Sequence, residues 1–233
     1  MDKMLKTLMQ GLPELGLPLP EETCRKLCAF GSAMVKQNEV MNLTGITDDE
    51  GVAKLHLQDS LTVAASVDLA GKRLIDVGCG AGFPGVPLAI ACPDTQVTLL
   101  DSLGKRMKWL ETVLPELGIS AQCVTARAEE AVQTCRESYD VATSRAVARL
   151  PILLELTAAF VCVGGYVVAL KGSAAREELA ESKNAIKKLG LQVEQILDFR
   201  FDDAVHSVIL LKKIAPTPGC YPRKFAKIKQ KPL

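Results

Sequence analysis

No Cys-x-x-Cys pair occurs among the eight cysteines of this chain, and only two histidines, His56 and His206, accompany them. Zinc sites need three or four cysteine, histidine or carboxylate ligands at recognisable spacings. Cys24 and Cys28 stand four apart on an expected helix, and Cys79, Cys92, Cys123, Cys135, Cys162 and Cys220 are scattered among apolar neighbours, so all read as reduced, buried thiols and no metal is expected. The same scarcity supports neither a cysteine protease nor a metallohydrolase. Long apolar runs are missing too. The longest uncharged one, Leu156 to Leu170, is broken by Gly164-Gly165 and falls short of a bilayer span. The segment Met1-Asp-Lys-Met-Leu-Lys6 carries charges where a secretory leader has its apolar region, so a cytoplasmic location with no membrane partner is expected.

Acidic residues are absent after Asp203, whereas Lys212, Lys213, Arg223, Lys224, Lys227, Lys229 and Lys231 follow, an asymmetry hidden by a net charge of only +1. Such a tail either tracks a phosphate backbone, with Tyr221 and Phe225 stacking on bases, or is simply solvated. With 233 residues, 48% of them apolar, the chain has enough material for one sizeable core and a smaller appendage.

What the sequence does contain is concentrated in Arg73-Leu-Ile-Asp-Val-Gly-Cys-Gly-Ala-Gly-Phe-Pro-Gly85, an apolar strand that delivers an acid and then a glycine cluster. Gly78, Gly80 and Gly82 let a ligand approach the backbone closely and permit positive φ. Gly80 to Gly85 fits G-x-G-x-x-G, the fingerprint of dinucleotide binding, and Asp101 lies at the spacing of a ribose-binding acid. Asp76 argues for another ligand, because a carboxylate there repels a pyrophosphate but suits the cationic end of S-adenosylmethionine, directly or through the amides of the turn. Pro84 and Pro87 also remove backbone donors that phosphates would use. For Asp101 the structural alternative is an N-cap to the helix expected from Gly104.

Helical periodicity fills residues 1–68, with a segment from Pro20 interrupted at Asn38 to Asn42 and another from Gly51 to Val67, forming a small N-terminal cap. From 69 to 214, strands expected at 73–77, 96–100, 121–125, 139–143 and 164–170 alternate with helices at 85–91, 104–117, 127–134, 150–160 and 174–188. Leu191 to Phe199 and Val205 to Lys213 read as an antiparallel hairpin across Asp202-Asp203, and 215–233 forms the basic tail. The expected class is α/β, a Rossmann-like sheet with a terminal hairpin.

Several blocks occur in one order: Asn42-Leu-Thr-Gly-Ile, His56-Leu-Gln-Asp-Ser-Leu61, Asp76-Val-Gly-Cys-Gly-Ala-Gly-Phe-Pro-Gly-Val-Pro-Leu88, Asp101-Ser-Leu-Gly-Lys-Arg106, Arg127-Ala-Glu-Glu130, Ser144-Arg-Ala-Val-Ala148, Leu170-Lys-Gly172 and Tyr221-Pro-Arg223. In these the chain resembles the RsmG family, also called glucose-inhibited division protein B, the bacterial guanine-N7 methyltransferases of 16S ribosomal RNA. The resemblance covers nearly the whole chain. It implies a class I methyltransferase fold, S-adenosyl-L-methionine as cofactor, and 16S ribosomal RNA or the small ribosomal subunit as partner. It puts Gly78 and Phe83 in the cofactor pocket, Ala128 and Glu129 near the adenine and Arg145 at its completion; Asp76, Gly80 and Asp101 join them as cofactor candidates from the reading of the turn and of the strand ends.

Lys105, Arg106, Arg145, Lys171 and Arg223 are the candidate RNA contacts, since cations at sheet ends and helix starts meet phosphates. Methylation at a guanine N7 needs no general base, because the nitrogen presents a free lone pair, and no catalytic residue is assigned. A small-molecule or protein methyltransferase, a nicotinamide-dependent oxidoreductase and a noncatalytic RNA-binding protein are the competing readings.

Overall fold

The computed structural model describes residues 2–233 and contains one seven-stranded sheet in the order β3-β2-β1-β4-β5-β7-β6. The strands are β1 Arg73–Val77, β2 Gln96–Asp101, β3 Gln122–Thr125, β4 Tyr139–Arg145, β5 Val161–Lys171, β6 Leu191–Phe201 and β7 Ala204–Lys213. The first five are parallel; β7 enters antiparallel between β5 and β6, with Val168 opposite Leu210. This is the α/β Rossmann-like architecture with a terminal hairpin.

Apolar residues on both faces make the central strands suited to burial between two helical layers. Side-chain alternation sends Leu74, Val168 and Leu170 into one core and Ile75, Val167 and Ala169 into the other. The first core is shared with the N-terminal helices Asp2–Gly11 and Glu21–Met41 through Met4, Leu8, Leu27, Phe30 and Met34; these helices pack on each other and on Val52–Gln58, and Glu21–Met41 also on Gly85–Ala91. The second lies under Ala128–Cys135, Leu150–Thr157, Ala175–Glu181 and Lys183–Lys188.

Several elements depart from expectation. Glu21–Met41 runs unbroken through Asn38, whose Oδ1 instead accepts the Leu43 and Thr44 amides at 2.5 and 2.8 Å, and Asn42 ends the helix in the left-handed region at φ 48°. The next helical stretch begins at Asp49, and Val52–Gln58 is π-helical before α-helix resumes over Asp59–Ser66. Strand β5 begins at Val161, three residues early, because Val161 pairs with Tyr139. The helix expected over 174–188 is split at Ser182, whose hydroxyl donates to the Glu178 carbonyl at 2.7 Å. The tail contains a short helix, Phe225–Gln230.

Candidate cofactor site

Strand order reverses between β1 and β4, and the crevice at their carboxyl ends is where an open parallel sheet accepts ligands. A cavity of about 510 Å³ lies there, running from Thr44 and His56 in the N-terminal region, across Gly78 and Gly80, to Asp101, Ala128, Glu129 and Phe225. Gly78, at φ 75°, faces Val147, and a Cβ on it would come within 2.4 Å of that side chain. The close approach follows from Ala146, left-handed at φ 57°, which turns the chain after β4.

Six of the turn's amides are already spent. Those of Gly78 and Cys79 donate to the Leu100 carbonyl at 2.7 and 3.1 Å, and those of Gly82 and Phe83 to the Cys79 carbonyl. Gly80 donates to Asp101 Oδ2 at 2.9 Å, and Gly85 to Asp76 Oδ2 at 2.7 Å. A pyrophosphate-binding turn must aim such donors at its ligand. This one aims them at itself, while its surface suits a nucleoside lying flat and Asp101 offers hydroxyl acceptors. Asp101 lines the cavity, its other oxygen accepting the Leu103 amide at 2.8 Å. It does not cap the helix Gly104–Glu116, whose N-cap is Leu103.

Asp76 is corrected from a ligand-facing group to a buried one. It is fully enclosed and absent from the cavity wall, so it does not meet a ligand directly. Its Oδ1 has no hydrogen-bond partner among the described residues. Burial pushes its pKa up to about 7, against the pull of the Gly85 amide and of Arg145.

Arg145 ends β4 and stands where the cavity meets a second groove of about 710 Å³; His56, Ala146, Val147 and Leu43 line both. Its guanidinium is held by Asp59 Oδ2 at 2.8 Å and the Leu55 carbonyl at 2.9 Å, and lies 5.2 Å over the Phe83 ring. Asp59 Oδ1 is 2.7 Å from His206 Nδ1. Burial favours the protonated form of Asp59, but the His206 hydrogen bond and the Arg145 charge outweigh it and hold the pKa below the ordinary value. His56 stacks on Phe83 with ring centroids 5.0 Å apart, and burial together with Arg145 lowers its pKa to about 4, leaving a neutral imidazole at neutral pH.

Two proposed RNA contacts are corrected by their partners. Lys171 Nζ, with its side chain only 7% exposed, pairs with Glu178 at 2.8 Å and donates to the Ala148 carbonyl at 2.6 Å, propping the loop after β4. Arg223 forks onto the fully buried Glu155, with Nε to Oε1 at 2.8 Å and Nη2 to Oε2 at 2.6 Å. Both act within the fold. Lys105 is exposed beside Arg106, which lines the cavity, and the exposed Arg127 lies 5.6 Å over Phe225. Glu129 Oε1 accepts the Phe225 amide at 3.3 Å, fastening the tail helix to the cavity mouth. Sequence reasoning missed that Thr44, Asp59 and His206 are connected through His56 and Arg145; the signals available were the blocks that contain Thr44 and Asp59, and an acid, Asp59, set among the apolar positions of a helix.

A family model described as GidB, rRNA small subunit methyltransferase G, matches residues 23–205. A protein of Desulfitobacterium hafniense named ribosomal RNA small subunit methyltransferase G is 44% identical over 94% of this chain and 93% of its own. One of the same name from Acetivibrio thermocellus is 42% identical over 99% and 97%. Among solved structures, a variant of the 16S rRNA (adenine(1408)-N(1))-methyltransferase of Catenulisporales acidiphilia, with cosubstrate SAM, superposes with a TM-score of 0.54 at 16% identity over 64% of this chain and 87% of that one. TrmN of Thermus thermophilus gives 0.53 at 19% identity over 70% and 48%. These two distant likenesses speak for the fold alone. With the family model matched over residues 23–205 and identities above 40% along nearly the whole length, the chain belongs to the rRNA small subunit methyltransferase G family.

Proposed function

We propose that this protein transfers a methyl group from S-adenosyl-L-methionine to N7 of a guanine in 16S ribosomal RNA, acting on the RNA or the assembled small subunit in the cytoplasm. The observation that carries the reading is the junction of two cavities at His56, Arg145 and Val147, one over the glycine turn and one opening outward beside β4. S-adenosylmethionine supplies a sulfonium-activated methyl group. Asp101 accepts the ribose hydroxyls, Ala128 and Glu129 border the adenine, and Gly78, Gly80 and Phe83 form the bed beneath the sulfonium arm.

The groove beside β4 receives the guanine. Its wall at the junction is made of Arg145, already matched by Asp59, and a neutral His56, so it presents planar surfaces and N–H groups. A matched guanidinium orients the base without placing an extra full charge next to a nitrogen that becomes positive. N7 needs no proton removed, so alignment and exclusion of water supply the rate. Lys105, Arg106 and Arg127 meet phosphates near the mouth.

Incubating the protein with labelled S-adenosylmethionine and unmodified small subunits, then digesting the RNA, tests this. Label in 7-methylguanosine is the expected result. Label on an exocyclic amine or a ribose would refute the N7 assignment, and tight NAD binding without methyl transfer would refute the cofactor.

A further inference from the structure

The N-terminal region contributes a hydrogen-bond donor whose direction follows from its neighbours. Thr44 Oγ1 lies 2.8 Å from His56 Nε2 and accepts the Ile46 amide at 3.0 Å. On the other side of the imidazole, Arg145 Nη2 is 3.3 Å from Nδ1. A guanidinium only donates, so Nδ1 is the acceptor and the single proton of the neutral ring sits on Nε2. The Leu55 carbonyl accepts Arg145 Nη1 at 2.9 Å, which holds the guanidinium against this edge of the ring. Nε2–H therefore donates to Thr44, and the amide of Ile46 fills the second acceptor position of the same oxygen. The Thr44 hydroxyl proton has nowhere to go within this group, and Thr44 lines the cavity over the glycine turn but not the outer groove.

All three residues Asp101, Ala128 and Thr44 line that cavity, but the sheet order sets Asp101, at the end of β2, and Ala128, just past the end of β3, on one side of the Gly78 turn, whereas Thr44 is tied through His56 to Arg145 at the end of β4, on the other side. Resting on the cofactor reading above, we propose that the Thr44 hydroxyl donates to the carboxylate of the cofactor's amino-acid arm, so that the N-terminal region closes the site by direct ligand contact. Asn38 sets the loop that presents it, through the Leu43 and Thr44 amides. His56 acts as a positioning residue, since its tautomer dictates which way the hydroxyl points.

The test compares wild-type protein, Thr44→Val and Thr44→Ser by calorimetric titration with S-adenosylhomocysteine, its decarboxylated analogue and 5′-methylthioadenosine. A hydrogen bond to a charged group corresponds to roughly ten- to hundred-fold in affinity. Thr44→Val is expected to lose that factor for S-adenosylhomocysteine alone, leaving the two truncated ligands unchanged, and Thr44→Ser to restore it. Equal losses for all three ligands, or no loss for any, overturn the proposal. Failure of the wild-type protein to bind S-adenosylhomocysteine overturns the cofactor reading instead. Should Thr44→Val not fold, ¹⁵N shifts of His56 in the wild-type protein decide: a proton on Nε2 is expected, and one on Nδ1 would spend the Thr44 hydroxyl on the ring and end the argument.

Discussion

Asp101 serves two purposes with one carboxylate: it ties down the amides of Gly80 and Leu103, and it lines the cavity with acceptor capacity left over. Replacing it with alanine is expected to weaken S-adenosylhomocysteine binding by roughly one to two orders of magnitude, because ribose acceptors and turn supports vanish together. Asp101→Asn, which keeps one acceptor, should lose less; equal equilibrium-dialysis affinities for all three proteins would remove Asp101 from the pocket. Among the cations, Arg127→Ala should reduce the salt dependence of RNA binding by a little under one unit of logarithmic slope, and an unchanged slope would take Arg127 off the phosphate path. Acids at strand ends could be picked out from sequence because local pattern places them there. Lys171 and Arg223 could not be sorted the same way: the acid that claims Arg223 is 68 positions away on a helix that reads as wholly apolar around it.

At the level of elements, the alternation of strands and helices was readable to within a few residues, because each strand is a short apolar run and each helix follows a turn. Readability failed where tertiary contacts or side-chain bonds set the boundary, as at Val161, drawn into pairing with Tyr139, and at Ser182. It failed too over Val52–Gln58, whose π-helical winding brings the Leu55 carbonyl, His56 and Asp59 around one guanidinium, since no residue type announces a π-helix. The tail helix shows what such hidden contacts do. Arg223→Ala leaves Glu155 buried without its cation, at a cost of about 3 kcal/mol, the low end for a broken buried pair because Arg223 is itself 25% exposed. A fall in Tm of several degrees is expected, together with weaker cofactor binding as Phe225 loosens from the cavity mouth. A variant with unchanged Tm but impaired RNA binding would restore Arg223 to the surface role first expected of it.

For the molecule as a whole, one half-buried and one fully buried group at the site pull stability in opposite directions with pH. His56 is lowered from 6.5 to about 4, so its stabilising contribution is complete above pH 6.5 and is lost as pH falls toward 4, where the unfolded chain takes up the proton first. Asp76 is raised from 3.8 to about 7, so its contribution is complete below pH 3.8 and is lost as pH rises toward 7. Across the shared interval the unfolded state binds about one more proton than the native state at His56 and about one fewer at Asp76. Each alone gives a slope of about 1.4 kcal/mol per pH unit, and together they nearly cancel. Asp76→Asn keeps an acceptor for the Gly85 amide but cannot ionise, so only the histidine slope survives. Its stability from urea denaturation should therefore rise relative to the parent by about 1.4 kcal/mol for each unit between pH 4.5 and 6.5. His56→Asn should show the opposite trend over the same interval. Parallel curves for Asp76→Asn and parent would mean that Asp76 is ionised in the fold at these pH values, and would put a charged carboxylate back beneath the turn that carries the cofactor.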